Sequence, residues 1–554
     1  MKLSPSAHVD TFTRDSLPPF EQWPMLEFTI PEVQYRERLN AGTELVDRTI
    51  AEHGGDRPAI FTGIGSSWSY AELQRRANQF ARVLTEDFGV VPGNRVMLRM
   101  LNGPWAVACW LGVLKAGAVV VTTMVAWRKK EIGQVAERVR PTVLVADHRG
   151  LDDVEAARID GLLAGVRVIV AGGGDDELQR ACEAKPGDFT AVDTAADDVA
   201  LLGTTSGTTG VPKVTMHFHR DILANADTFG KRVLHLSEHD VSATTAPLAF
   251  TFGLGGAVVF PLRTGGAAVI LERATPIELA KLIEPLGITV LYTAPTGYRG
   301  AVKEGLADEL RKLRLGVSAG EHLSRETFDD VEAASGLRLV DGIGSTEMLH
   351  VFISASGGDV RPGATGRAVP GYRATVVGDD GESVPAGVPG RLAVIGPTGC
   401  RYLNDERQAN YVQNGWNITG DTFVMDEDGY FTFYARTDSM IVTAGYNVGA
   451  SEVEEAVTSH PDVLECAVVA RPDPTRGTIV NAFVVPRAGI EDSDALRVEI
   501  LDTVKEGLAI YKCPRRIDFV SELPRNPSGK VQHFVLRERA EAEAAAEVAA
   551  RRAQ

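Results

Sequence analysis

The chain has 554 residues, more than one hydrophobic core accommodates, so two or more domains are expected. With 44% apolar and 24% charged residues it has an ordinary globular composition, which excludes fibrous, disordered and disulfide-scaffold classes. A formal charge of −17 argues against a general nucleic-acid or membrane-surface role, so a polyanionic substrate needs a local basic site.

In chain order, Met1-Lys2-Leu3-Ser4-Pro5 leads into charged and proline-rich sequence rather than a signal-peptide core, and a cytoplasmic address is expected. Residues 70–88 read as a helix, Arg95-Val96-Met97-Leu98 as a strand and 105–116 as a second helix. Residues 119–123 and 142–145 read as apolar strands. The apolar run 106–121 is interrupted by Lys115 and by glycines, so it is a buried helix and strand rather than a membrane span. Such alternation predicts βα units around mostly parallel sheets. After Gly363 come short strands with turn signals, Gly378-Asp379-Asp380-Gly381 and Pro385-Ala386-Gly387, which suggest a β-rich subdomain. Beyond a boundary near Asp438 follow a helix at 451–459, strands at 464–470 and 481–485, a helix at 495–508, and a glycine-containing loop before Lys530. The segment 537–554, rich in Ala, Glu and Arg, reads as a solvated helix that frays at its end. The fold class expected is α/β: a large domain over 1–437 of stacked, mostly parallel sheets with a β-rich subdomain, a small α+β domain over 438–540, and a charged tail at 541–554. Cys109, Cys182, Cys400, Cys466 and Cys513 lack C-x-x-C spacing and read as structural thiols of a reducing compartment.

One stretch carries chemistry on its face. Thr204-Thr205-Ser206-Gly207-Thr208-Thr209-Gly210 places five hydroxyl residues and two glycines in seven positions, and Val211-Pro212-Lys213 closes it. Hydroxyls and glycine N–H groups donate to phosphate oxygens, bare glycine backbone lets a polyanion approach, and Lys213 adds a point charge. It is not a Walker A loop, because Gly207 and Gly210 are too close, Pro212 precedes the lysine and Val214 follows it. His217-x-His219 has metal-like spacing but no accompanying acid or cysteine cluster, and reads as a strand with alternating faces. Gly172-Gly173-Gly174 lacks the rest of a dinucleotide fingerprint and reads as a loop.

The phosphate loop resembles that of the acyl-adenylate-forming superfamily, which comprises acyl- and aryl-CoA ligases, carrier-loading adenylation domains and luciferases. Its other motifs appear in the family's order. Ser69-Tyr70-Ala71-Glu72-Leu73 and Leu114-Lys115-Ala116-Gly117-Ala118 resemble two early structural motifs, and Gly342-Ile343-Gly344-Ser345-Thr346-Glu347 the adenine and magnesium motif. Thr419-Gly420-Asp421 resembles the ribose motif, Ala435-Arg436-Thr437-Asp438 the hinge, and Asn526-Pro527-Ser528-Gly529-Lys530 the C-terminal lysine loop.

That resemblance implies attack of a carboxylate on the α-phosphate of ATP with loss of pyrophosphate, then transfer of the acyl group to CoA, with Mg²⁺ as cofactor. The barrier to such a step is chiefly electrostatic, so donors and cations aimed at phosphoryl oxygens are the expected machinery. It implies that Thr205, Ser206, Gly207, Thr208, Thr209, Gly210 and Lys213 hold the β- and γ-phosphates, and that Thr346 bonds the α-phosphate beside Gly344. Glu347 is the implied Mg²⁺ ligand, Asp421 accepts both ribose hydroxyls, and Arg436 joins the ribose or phosphate side or forms a structural salt bridge. Asp438 is the implied hinge of a mobile C-terminal domain. Lys530 contacts the substrate carboxylate and α-phosphate during adenylation and withdraws when that domain rotates. In Gly445-Tyr446-Asn447-Val448, Gly445 is placed nearest the pantetheine thiol. One departure is Gly449-Ala450-Ser451 before Glu452-Val453-Glu454, where the family usually has proline; it is expected to alter stiffness rather than chemistry.

Pro247-Leu248-Ala249-Phe250-Thr251-Phe252-Gly253-Leu254-Gly255 lacks the histidine that many fatty-acyl relatives carry there, and with Met348-Leu349-His350 it resembles benzoate- and 2-aminobenzoate-CoA ligases. By that resemblance Phe252, His350 and Val351 line the acyl pocket with Thr251 nearby. Thr251 and His350 are either packing groups or the partners of an ortho hydroxyl or amino group, so salicylate and 2-aminobenzoate are both open. The expected partners are a small aromatic carboxylic acid, ATP and CoA, with no nucleic acid and no membrane, the chain acting as a monomer or homodimer. A ligase that loads a carrier-protein arm and a non-catalytic binding protein on the same fold are the rival readings.

Overall fold

A computed structural model describes residues 3–205, 212–378, 380–436, 440–524, 531 and 533–552. The chain divides into two units. The first takes in the described residues up to Val125, with Ala136–Thr205 and Lys213–Ala435, and the second takes in Ala126–Val135 and the described residues from Arg436 on.

In the first unit, valine- and leucine-rich runs form strands buried along their whole length: Arg95–Arg99, Val119–Thr122 and Val143–Asp147. Full burial of one such side chain contributes about 1.5–3 kcal/mol, which is why runs this apolar end in the middle of a parallel sheet. Among the described residues that sheet has six strands, ordered Arg167–Ala171, Val143–Asp147, Arg95–Arg99, Val119–Thr122, Val199–Thr205 and Lys213–Phe218. All pair in parallel except the last two, which form an antiparallel pair. The apolar run 106–121 is the helix Pro104–Lys115 followed by strand Val119–Thr122, as expected, with Gly117 turning the chain at φ +69°. Lys115, the interruption in that run, is buried and donates to Asp47 Oδ1 and Asn78 Oδ1, both at 2.7 Å.

The second large sheet has nine strands among the described residues. Six of them run parallel: Pro58–Gly63, Ala267–Val269, Val241–Thr244, Val290–Thr293, Leu315–Ser318 and Val340–Gly344. Val351–Ser354 and Arg367–Ala368 close one edge antiparallel, and Ser66–Ser69 closes the other. The short strands expected after Gly363 therefore begin by joining this sheet, and the separate β-subdomain starts at Arg373. It is built from Arg373–Val377, Gly390–Ile395, Val412–Gln413, Trp416–Met425 and Phe431–Arg436. The helix expected over 70–88 is α-helical for Tyr70–Arg82, capped by Ser69 Oγ accepting from the Glu72 N–H at 3.1 Å, and widens to a π-turn at Val83–Asp87.

The second unit is α+β. Val463–Asp473 pairs antiparallel with Gly477–Pro486, which pairs parallel with Arg516–Phe519. Helices Ala450–Thr458 and Asp494–Gly507 belong to the same unit, whose core contains Val453, Val457, Val468, Val484, Ile500 and Val504. The terminal helix, His533–Arg552, is not solvated all round as its composition suggested. Leu536, Ala540 and Ala544 recur every fourth residue and are buried, the first two against Ala467, Val469 and Phe483. Its acids also have a partner: the buried Arg471 pairs with Glu543 at 3.2 Å and Glu547 at 2.9 Å. All five cysteines are free, and none of the described helices is long and apolar enough to cross a membrane.

Candidate active site

The hydroxyl- and glycine-rich stretch is flanked by strands Val199–Thr205 and Lys213–Phe218, paired antiparallel with Thr205 opposite Lys213 and Gly203 opposite Thr215. Ser206, Gly207, Thr208, Thr209 and Gly210 lie outside the described residues. Thr205 Oγ1 is enclosed and has no hydrogen-bond partner among the described residues. Gly203 is required by close approach: a Cβ there would stand 2.7 Å from Thr346 Cγ2 and 2.8 Å from Thr215 Oγ1. The absence of a side chain lets the loop after strand Val340–Gly344 sit directly on the hairpin.

That loop is tightly constrained. A Cβ on Gly344 would lie 2.6 Å from the His350 carbonyl, and Leu349 adopts φ +73°, a left-handed conformation that is strained for a leucine. Between these two points the chain presents Thr346 and Glu347. The buried His217 Nε2 lies 2.7 Å from the Thr346 carbonyl oxygen. Burial first, and then the charge of Arg401, push the His217 ring down to about 3, so it is neutral and its Nε2–H donates to that carbonyl. His217 holds the Thr346 main chain, and His219 opens a helix, with Nδ1 accepting from the Ala41 N–H at 3.1 Å.

Glu347 is buried, which works to raise its carboxyl, but the Lys213 charge and the Tyr402 hydroxyl outweigh that and hold it below the usual carboxylate range. The Tyr402 hydroxyl donates to Glu347 Oε1 at 2.6 Å, and Lys213 Nζ donates to the same hydroxyl at 2.8 Å and stands 3.4 Å from Oε1. An anionic oxygen and a cation are thus preorganised at the start of strand Lys213–Phe218.

Next to this cluster, helix Thr251–Leu254 widens to a π-turn over Gly255–Val259 and borders a small cavity. Asn225, Thr251, Gly255, Phe260, Leu349 and His350 are among its lining residues. The His350 ring lies 4.6 Å from that of Phe260, 5.7 Å from Phe229 and 5.8 Å from Phe252, which in turn meets Tyr292 edge-on at 5.9 Å. Burial pushes His350 down to about 3; the Phe252 main chain opposes this, yet neither ring nitrogen has a partner at hydrogen-bond geometry among the described residues. Val351, one residue on, lies in strand Val351–Ser354 close to Gly342, where an added Cβ would be 3.0 Å from Val351 Cγ1.

Asp421 is half-buried in strand Trp416–Met425 where its register with Gly390–Ile395 shifts, and its N–H donates to Thr419 Oγ1 at 3.3 Å. Arg436 ends strand Phe431–Arg436. Asp438 and Lys530 lie outside the described residues. In the second unit, Gly445 occupies the turn of the hairpin Met440–Thr443 and Tyr446–Gly449. Three features were not singled out from the chain: Tyr402, His217 as a holder of the Thr346 carbonyl, and the His322 ring stacked on Phe433 at 5.1 Å just beyond strand Leu315–Ser318. Their partners are remote in sequence, and no local spacing marks them.

The glycine-dependent approach of the strand pair carrying Gly203 and Thr215 to the loop of Thr346 and Glu347 stands at the carboxyl ends of parallel strands, where open α/β sheets hold their ligands. Residues 46–401 match the AMP-binding enzyme family and 452–530 its C-terminal domain, and the chain belongs to that family. It is an AMP-forming acid-thiol ligase. The chain is 34% identical to a benzoate–CoA ligase of Thauera aromatica, over 92% of this chain and 98% of that protein. It is 31% identical to a 3-hydroxybenzoate–CoA ligase of Aromatoleum sp. (strain CIB), over 90% and 97%. Among solved structures it is similar to the anthranilate CoA ligase AuaEII in complex with anthranoyl-AMP, with TM-score 0.72 and 33% identity over 93% of this chain and 100% of that one.

Proposed function

We propose that the enzyme activates an aromatic carboxylic acid, an ortho-substituted benzoate such as salicylate or 2-aminobenzoate, as acyl-AMP with release of pyrophosphate, and then transfers the acyl group to the CoA thiol with release of AMP in the cytoplasm. The observation that carries this reading is His350: a neutral ring within an aromatic box beside a cavity, neither of its nitrogens having a partner at hydrogen-bond geometry among the described residues. A site that buries unpaired polar groups favours the ligand that pairs them and rejects its unsubstituted analogue. Thr251 on the same cavity adds a hydroxyl. The relatives named for benzoate, 3-hydroxybenzoate and anthranilate support an aryl acid.

In this reading the residues of 205–213 cradle the β- and γ-phosphates, Thr346 meets the α-phosphate, Asp421 and Arg436 hold the ribose side, and Lys530 supplies the mobile cation at the reacting carboxylate. Asp438 is the hinge, and Gly445 borders the path of the thiol. An ionised, enclosed carboxylate is the donor that Mg²⁺ takes while keeping waters and phosphate oxygens, so Glu347 fits the metal. Bound there, Mg²⁺ neutralises phosphate charge as pyrophosphate leaves.

The test is ATP–pyrophosphate exchange across benzoate, salicylate, 2-aminobenzoate, 3-hydroxybenzoate and a fatty-acid series, followed by thioester analysis with CoA and with a phosphopantetheinyl carrier protein. We expect an ortho-substituted benzoate to exceed benzoate by at least about tenfold in kcat/KM, with CoA as acceptor. Preference for a fatty acid, thioester formed on the carrier alone, or exchange with no acid at all would each reject the proposal.

A further inference from the structure

Tyr402 has been given no step of the reaction beyond its contact with Glu347, yet it is held from several sides in the Lys213–Glu347 cluster. It is 1% exposed. Its segment adds a short antiparallel piece to strand Lys213–Phe218: the Met216 N–H donates to the Arg401 carbonyl at 2.7 Å, and the Leu403 N–H to the Val214 carbonyl at 2.8 Å. Arg401 anchors the piece from below, fully buried in an ion pair with Asp221 and 4.0 Å over the Phe218 ring. The Tyr402 N–H donates to Gln408 Oε1 at 2.8 Å, and the Gln408 amide donates onward to the Gln22 carbonyl at 2.8 Å and the Cys400 carbonyl at 3.1 Å. Tyr411 closes on the phenol edge-on, centroid to centroid 5.8 Å.

All this fixes the position of one hydroxyl. It accepts from Lys213 and donates to Glu347, so hydrogen bonds run in one direction from ammonium to phenol to carboxylate. Both contacts to Glu347, from the phenol and from Lys213, fall on Oε1. Hydrogen bonds with an ionised partner are short and directional, and in an enclosed site they set the orientation of the whole carboxylate. Lys213 is already paired with Oε1 at 3.4 Å, and without the hydroxyl between them it would close further on Glu347 and take up more of its charge.

We infer that Tyr402 is a positioning residue for the adenylation step: its hydroxyl holds Glu347 Oε1 and spaces Lys213 away, so that Oε2 is presented to the magnesium of MgATP. The inference rests on the assignment of Glu347 as the metal-facing carboxylate. The experiment measures ATP binding to the full-length protein by calorimetry, over a Mg²⁺ series and in EDTA, for wild type, Tyr402→Phe, Glu347→Gln and the double variant. In Tyr402→Phe the half-saturating Mg²⁺ concentration rises about five- to tenfold, the loss of one charge-assisted hydrogen bond, while ATP binding in EDTA stays within about twofold. The double variant responds like Glu347→Gln alone, because the phenol acts through that carboxylate. A wild-type Mg²⁺ response in Tyr402→Phe, or equal losses with Mg²⁺ and in EDTA, overturns the inference. A Mg²⁺ response left intact by Glu347→Gln overturns the assignment of Glu347 instead. Should Tyr402→Phe fail to fold, Gln408→Met removes the amide that pins the Tyr402 main chain; it raises half-saturating Mg²⁺ about two- to threefold, and an unchanged value overturns the inference equally.

Discussion

Gly255 and His350 depend on each other. Gly255 has an ordinary helical φ of −61°, so backbone freedom is not what it supplies. What it supplies is room, because a Cβ at this position would overlap the His350 ring. Overpacking of this kind costs about 1–3 kcal/mol and is relieved here by displacing the imidazole. Gly255→Ala is therefore expected to raise the KM for the aromatic acid about tenfold or more while leaving ATP affinity unchanged, as read by exchange kinetics and calorimetry. An unchanged KM would show that the ring has no bearing on the acid. Thr251 and His350 were legible in the chain because they belong to contiguous strings that resemble those of aryl-CoA ligases. Tyr402 was not, since it meets Lys213 across 189 residues. His217 was legible as a strand residue but not as the partner of Thr346, 129 residues away.

At the scale of elements, alternating apolar helices and strands in the first half of the chain were readable because each run is uniform in character and long enough to exceed one turn or one pleat. The tail helix was misjudged as solvated because alanine spaced every fourth residue carries a weak apolar signal, and its burial is decided by the sheet it meets. The hairpin Met440–Thr443 and Tyr446–Gly449 turns through Ala444 and Gly445 at φ +48° and +81°, the left-handed pair that a tight hairpin demands. A Cβ at Gly445 would meet nothing within 4 Å, so backbone strain is the whole local cost of substitution. Gly445→Asn, which tolerates that conformation, should retain the melting temperature, whereas Gly445→Leu should lower it by a few degrees. If Gly445 borders the thiol path, the Leu variant also loses thioester formation from preformed aryl-AMP by about tenfold or more while keeping pyrophosphate exchange, and the Asn variant loses less. Normal thioester formation by Gly445→Leu would remove it from that path.

For the molecule as a whole, buried histidines set an acid limit. Burial pushes His217, His219 and His350 each down from 6.5 to about 3 in the folded state. Their folded values lie below their unfolded ones, so they leave stability intact above 6.5 and cost stability as pH falls from 6.5 toward 3. One unit below 6.5 each histidine costs on the order of 1 kcal/mol, so the three together cost a few kcal/mol. The melting temperature is expected to fall steadily between pH 6.5 and about 4.5, before most carboxylates titrate, and His350→Gln should flatten that slope. A melting temperature independent of pH over this window would mean that the rings are hydrated rather than buried.

By itself, the sequence determined the reaction class. Hydroxyl-glycine-lysine, Thr-Glu and Thr-Gly-Asp are each contiguous strings in the family's order, so a resemblance could be read from them one at a time. The parallel architecture was equally local, written in runs of valine and leucine. Only the tertiary structure decided which groups face one another. It brought the Lys213 hairpin, the Glu347 loop and the Tyr402 segment into one hydrogen-bonded chain, and closed Phe229, Phe252 and Phe260 around His350. Those encounters join strands and helices far apart in sequence, and packing, rather than any local pattern, selects them.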